Sequence, residues 1–207
     1  MVAGKVPRRP AEPLQRTPAD VLRIRPRLAR IARTAGRYTL AWNHLRHFGP
    51  LPNTRWDPHP PPVQEHPSYA VGYAAPSIIS GLAEVFQTGR IVDVNAGRPH
   101  LIIWQPTRAL RLLDLTGTWP IRNGAAYALH AAPKSTCRNW SNQIFEHWPD
   151  LDGLWVPSTM TGQPIAVLGP AAAASFPSTP ELNLPLNDPS VYRLVVLVAA
   201  AIGYRTS

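Results

Sequence analysis

The chain carries one cysteine, Cys137, so no disulfide can form within it. It cannot by itself hold a multi-cysteine zinc site or an iron–sulfur cluster. Acidic residues are scarce, 12 Asp and Glu against 21 Lys and Arg. The longest apolar run, residues 194–202, follows Arg193 and is nine residues long. A membrane-spanning helix needs about twenty. No apolar stretch follows the basic residues at 1–16, as it would in a signal peptide. These absences predict a soluble, cytoplasmic protein without a membrane contact, consistent with the single thiol. The phosphate cradles GxGxxG and GxxxxGK[ST] are missing, as are HExxH and GxSxG. Rossmann, P-loop, zincin and α/β-hydrolase readings therefore have no support.

What is abundant is proline, 25 of 207 residues, and this predicts short elements joined by irregular connections. The 44% apolar share is enough for a packed core. The net charge of +9 is confined to the start of the chain: residues 1–48 hold eleven basic and two acidic residues, and the remainder is balanced at ten against ten. The pattern describes a basic extension on a neutral domain. Residues 1–18, rich in Pro and Arg, are expected to be disordered. Between 18 and 37, Val21, Leu22, Ile24, Leu28, Ile31 and Ala32 recur near helical spacing, and Pro26 predicts a kink or two short helices. Such a basic stretch could touch RNA, an acidic partner or anionic lipid, or simply be a solvated flank. The expected organisation is a basic, partly disordered extension at 1–37 and a domain at 38–207.

Within the domain, residues 39–75 are proline-rich, and a long irregular stretch of this kind is usually functional. A strand is expected at 69–75. A helix follows, capped by Ser77, with Ile78, Leu82, Val85 and Phe86 on one face and Gly89 at its end. Apolar runs at 100–104, 110–115, 154–157 and 164–169 read as strands. Cys137, Trp140, Ile144, Phe145 and Trp148 mark a second helix opening at Ser135. Residues 170–187 read as a proline-punctuated connection. Asp188 then caps a last helix, with Pro189 in its first turn and Gly203 at its end. The order mixes short strands and isolated helices without regular βαβ alternation, which is α+β.

His44, His47, His59 and His66 lack the spacing of a metal site and lie in proline loops, so no metal is expected. Cys137, on an apolar helix face, reads as a core thiol. Four polar residues in apolar settings remain: Arg55, Tyr73, Glu84 and Ser158. Arginine binds phosphate bidentately and never loses its proton. Tyrosine offers a stacking ring. A carboxylate can stabilise an oxocarbenium-like sugar as a glycosidic bond breaks. Plain structural roles fit the same residues: Arg55 paired with Asp57, Tyr73 half-buried, Glu84 on an exposed helix edge, Ser158 in a turn.

An ordered set of segments over roughly residues 40–204 resembles the RES-domain family, named for its Arg, Glu and Ser. The segments are 42–50 with Arg46, Arg55-Trp56-Asp57-Pro58-His59, Gly72-Tyr73-Ala74-Ala75, Leu82-Ala83-Glu84-Val85-Phe86-Gln87, Leu112-Leu113-Asp114-Leu115-Thr116-Gly117, Arg138-Asn139-Trp140 and Asp152-Gly153-Leu154-Trp155-Val156-Pro157-Ser158. The family often has Gly-Gly before Arg-Trp-Asn; here Asn53-Thr54 precedes Arg55-Trp56-Asp57. The basic extension is not part of the common domain. The resemblance implies an ADP-ribosyltransferase-like fold of small mixed sheets with flanking helices. It implies a toxin of a bacterial toxin–antitoxin pair that consumes NAD by phosphorolysis or hydrolysis of the nicotinamide–ribose bond. NAD would then be substrate rather than cofactor, inorganic phosphate a co-substrate, and a small helical antitoxin the partner. By matching motif, Arg55 would hold the NAD phosphates or an attacking phosphate, and Arg46 would be a second anion ligand. Tyr73 would stack on nicotinamide, Glu84 would stabilise the ribosyl cation, and Ser158 would bond near the nicotinamide or ribose. The same site would serve an ADP-ribosyltransferase acting on a macromolecule. A non-enzymatic binding module with a basic tail contacting RNA is the remaining alternative.

Overall fold

The computed structural model describes residues 5–207. In chain order the strands are β1 (Val21–Ile24), β2 (Leu28–Arg33), β3 (Phe48–Gly49), β4 (Gln64–Glu65) and β5 (Gly72–Ala74). Helix α1 (Ile78–Val85) follows, then β6 (Ile91–Val92), β7 (Pro99–Trp104), β8 (Leu110–Asp114), α2 (Trp119–Arg122) and α3 (Lys134–His147). The chain ends with β9 (Gly153–Pro157), β10 (Pro164–Leu168), β11 (Leu182–Pro185), α4 (Pro189–Ala201) and β12 (Arg205–Thr206). The α+β expectation holds.

Two sheets carry the fold, a five-stranded one in the order β1-β8-β9-β10-β5 and a three-stranded one in the order β11-β7-β2. Their alternating side chains build three apolar layers. Leu113, Leu154, Val156 and Val167 face α3, which supplies Cys137, Trp140, Ile144 and Phe145. Leu110, Leu112, Ala166 and Leu168 face the other way, onto Leu28, Ile102 and Trp104 of the smaller sheet. The far side of that sheet, with Ala29, Ile31, Leu101 and Ile103, is covered by Leu82 and Phe86 of α1 and Val191, Val195 and Ala199 of α4. The β8–β9 pair is parallel. A parallel pair requires a crossover, and the segment with α2 and α3 supplies it.

Three expectations are corrected. The stretch 18–37 forms no helix beyond a single 3-10 turn; it makes β1 and β2, which pair antiparallel with β8 and β7. β2 lies deep in the smaller sheet, so the folded unit begins well before residue 38. The proposed disorder at 1–18 fails for its described part, residues 5–18; Met1 to Gly4 lie outside the described residues. Leu14 is buried in the α3 layer with Val6 packed against it. The indoles of Trp119 and Trp140 donate to the carbonyls of Gln15 and Pro7 at 2.9 and 3.0 Å. Arg16 Nη2 donates to both oxygens of the Asp150 carboxylate, at 2.9 and 3.0 Å. Finally, residues 170–187 contain strand β11. Leu182 and Leu184 alternate into the α1 layer, and Pro185 is tolerated because β11 is an edge strand.

The three longer helices lie where the sequence reading places them, with changes at their ends: α1 stops at Val85, before Gly89, and α3 starts at Lys134, one residue before Ser135, while the short α2 was not expected. Asp188 caps α4, its carboxylate accepting from the Ser190 amide at 2.9 Å. Ser77 precedes α1 in extended conformation but makes no side-chain cap bond.

Candidate active site

β2 and β5 touch through one bridge, Ala29 with Ala75. Beyond it the two chains part, and a cavity of about 350 Å³ opens between them, roofed by α1, the end of β9 and the loop 53–56. Glu84, Arg30 and Arg55 are its charged lining residues.

Glu84 comes from the last turn of α1. Gly81, Glu84 and Val85 are spaced three and one, so they share the helix face turned to the cavity. Val85 thus departs from the expected core stripe and is 44% exposed, while Leu82 and Phe86 are buried. Oε1 of Glu84 accepts from Ser158 Oγ at 2.6 Å, and Gln87 Nε2 donates to the Glu84 carbonyl at 2.7 Å. The Ser158 hydroxyl itself accepts from the amides of Met160 and Thr161, at 3.1 and 3.2 Å. With those amides on its lone pairs, its proton is directed at the carboxylate. Ser158 therefore fixes Glu84 rather than standing ready as a separate substrate ligand. Glu84 is half-buried rather than on an exposed edge, and Ser158 does open a turn, its hydroxyl also reaching Glu84.

Tyr73, on β5, lines the cavity, and its hydroxyl donates to the Arg55 carbonyl at 3.0 Å. Burial and the Asp57 charge raise its pKa, so the phenol keeps its proton and tethers the loop. Arg55 lines the cavity but does not pair with Asp57. Its Nη1 donates to the Ala132 carbonyl and approaches Cys137 Sγ at 3.6 Å. The next residue, Trp56, has φ +57°, the left-handed region that a bulky residue rarely adopts. That turn sends Arg55 to the cavity and buries Trp56 in the α3 layer at 1% exposure.

Behind Arg55, His130 is 5% exposed, and neither ring nitrogen has a partner among the described residues. Burial and the Arg55 charge push its pKa down to about 4. Burial likewise raises the Cys137 thiol, which is a core group as expected.

Arg46, expected as a second anion ligand, is not at the cavity. It donates to Asp57 Oδ2 at 2.8 Å and to the Phe48 carbonyl. Asp57 is fully buried and also accepts from Leu51 N, Thr54 Oγ1 and His59 Nδ1, at 2.9, 2.9 and 2.5 Å. Burial alone would raise its carboxyl. The His59 and Leu51 hydrogen bonds and the Arg46 guanidinium hold it well below the usual carboxylate range. The cluster sets the shape of the loop that carries Arg55, and His59 serves it there.

The sequence reading missed Arg30. It lines the cavity from β2, and no carboxylate pairs with it among the described residues. Burial and the nearby Arg46 charge lower its pKa. The signal was the alternation Leu28-Arg30-Ala32 on one face, which a helical reading of this stretch conceals.

A model of the RES domain matches residues 27–187. The chain belongs to the RES-domain family. No curated protein matches it. Among solved structures it resembles the crystal structure of the M. tuberculosis MbcT–MbcA toxin–antitoxin complex. That match has a TM-score of 0.56 and 19% sequence identity, covering 84% of this chain and 90% of the other. The likeness supports a RES-type fold, and the family match beginning at residue 27 includes β2 and Arg30.

Proposed function

We propose that this RES-domain protein cleaves the nicotinamide–ribose bond of NAD and passes the ADP-ribosyl group to phosphate or water. The observation that carries the reading is one carboxylate, Glu84, held by Ser158 at the wall of a cavity whose other charged lining residues are Arg30 and Arg55. Nicotinamide in NAD is cationic. When the bond between ribose C1′ and the ring nitrogen breaks, its electron pair goes to that nitrogen and nicotinamide leaves neutral. No general acid is required, and positive charge develops on the ribose. Glu84 stabilises that charge, and its fixed geometry avoids reorganisation during the step. Phosphate or water oxygen then forms the new bond to C1′, a water nucleophile releasing its proton to solvent. Arg30 and Arg55 hold the diphosphate and, in phosphorolysis, the incoming phosphate. Tyr73 lines the wall where the nicotinamide ring would lie.

The fold shared with a protein of a toxin–antitoxin complex supports a toxin role with a protein antitoxin as partner. The test follows free nicotinamide and the mass of the sugar product, with purified protein, NAD, and phosphate present or absent. Nicotinamide release is expected, with ADP-ribose carrying an added phosphate or a hydroxyl according to the nucleophile. Absence of release under both conditions refutes the reading, and label appearing on a protein or nucleic acid redirects it to macromolecular ADP-ribosylation.

A further inference from the structure

Helix α4 is apolar around its whole circumference. Between Pro189 and Ala201 its one charged residue is Arg193. A helix of that kind is ordinarily buried on every side. Here Val191, Val195 and Ala199 are buried against the three-stranded sheet. On the other side Tyr192, Leu194, Val196 and Leu197 are all exposed, Leu197 to 69%. Ala200 and Ala201 complete the strip and are exposed as well. None of the described residues lining the cavity of Glu84 belongs to α4, so the strip is a surface separate from that site.

Side-chain size is graded along the strip. Its N-terminal half carries Tyr192 and Arg193, its C-terminal half Ala200 and Ala201. A second copy laid antiparallel sets bulk on small residues at both ends of the contact, whereas a parallel copy sets bulk against bulk. With a two-fold axis between Val196 and Leu197, Arg193 of one copy lies over Ala200 of the other, and Tyr192 over Ala201. Such a contact is isologous and stops at two copies. The charges favour the same orientation. Antiparallel helix dipoles attract, and Arg193 is carried towards the C-terminal end of the second helix, the end that favours a cation. Asp188, at the start of α4, comes to the end of the second helix, where exposed Arg205 follows. A helix of 13 residues spans about 20 Å. Two of that length cover less than the roughly 800 Å² per partner of a standard interface, which places the contact in the weak, reversible class.

We propose that the outer face of α4 is a self-association surface, on which a second copy of this chain docks antiparallel across Leu197. The inference does not depend on the NAD reading. Sedimentation velocity of the full chain, from micromolar to millimolar concentration, should show a mass rising reversibly towards twice that of one chain. Leu197→Glu should keep the wild-type melting temperature, because the side chain is 69% exposed, so loss of the dimer cannot be put down to unfolding. The variant should raise the dissociation constant about tenfold or more. Orientation is read from single cysteines under mild oxidation with copper phenanthroline, Cys137 being fully buried and out of reach. Leu197→Cys meets its own copy near the axis and should give a disulfide-linked dimer. Tyr192→Cys lies about 13 Å along the helix from its copy, beyond the roughly 7 Å between Cα atoms that a disulfide tolerates, and should not. A wild type that stays monomeric at every concentration overturns the proposal. So does a dimer that survives Leu197→Glu, a dimer that fails to cross-link through Leu197→Cys, or equal cross-linking through both positions.

Discussion

His130 gives the fold a pH dependence whose sign and size follow from its burial. The ring is 5% exposed beside Arg55 and lacks partners among the described residues, and its pKa falls from 6.5 to about 4. Above pH 6.5 the residue is neutral in both folded and unfolded chains and contributes no slope. As pH falls from 6.5 towards 4, the unfolded chain takes up a proton that the folded chain refuses, so stability is lost. Below about pH 4 both states are protonated and the loss is complete. A difference of about 2.5 units corresponds to roughly 3 kcal/mol. For a domain of this size that is roughly 6–12 °C in Tm. Asp57 adds its own loss near the acid end of this window, where the unfolded carboxyl begins to protonate while the folded one stays ionised, but that loss is common to wild type and variant and cancels in their difference. The perturbation is His130→Leu, of similar volume and without the two orphaned nitrogens. At pH 8 the variant should be at least as stable as the wild type, since no hydrogen bond to a described residue is lost. Urea unfolding at half-unit steps from pH 4 to 8 measures both proteins. The wild type should lose about 3 kcal/mol more than the variant across the window. Parallel curves would refute the argument and imply that the ring is solvated or hydrogen-bonded.

Glu84→Gln should lower the rate of NAD loss by about 10²–10³ with Tm unchanged, as measured by nicotinamide release and thermal unfolding; wild-type turnover removes Glu84 from the site. Ser158→Ala frees the carboxylate and uncovers two amides, so kcat should fall by about tenfold with less change in KM, in a steady-state NAD titration. Arg55→Lys keeps the charge but not the forked donors. Saturation by NAD or phosphate should weaken by roughly 1.5–3 kcal/mol, and separate titrations of each show which anion Arg55 holds. Leu14→Ala should cost about 2–3 kcal/mol in urea unfolding because Leu14 is buried in the α3 layer; no change would mean that the N-terminal segment does not dock.

Sequence alone determined the elements whose cause is local. α3 announces itself by apolar residues at helical spacing, α4 by Asp188 and Pro189 at its start and Gly203 at its end, and β7 and β10 by short apolar runs between turn residues. The order of motifs from Arg55 to Ser158 also gave the family and the candidate carboxylate. What tertiary structure decided were the matters settled by distant partners. Val21, Leu22, Ile24, Leu28, Ile31 and Ala32 fit a helix nearly as well as a strand. The segment becomes β1 and β2 because open edges of β8 and β7 pair with it. Residues 5–17 have too little apolar surface to predict docking, yet their backbone carbonyls satisfy indole donors of Trp119 and Trp140, more than a hundred residues away. The site follows the same rule. Glu84 was legible, but its hydrogen bond from Ser158 spans 74 positions. Arg30 became a site residue only when β2 was laid along the cavity, and Arg46 ceased to be one when the buried Asp57 carboxylate required a cation. Local periodicity and capping act within a few residues, whereas burial of charge is settled only once the sheets have closed around it.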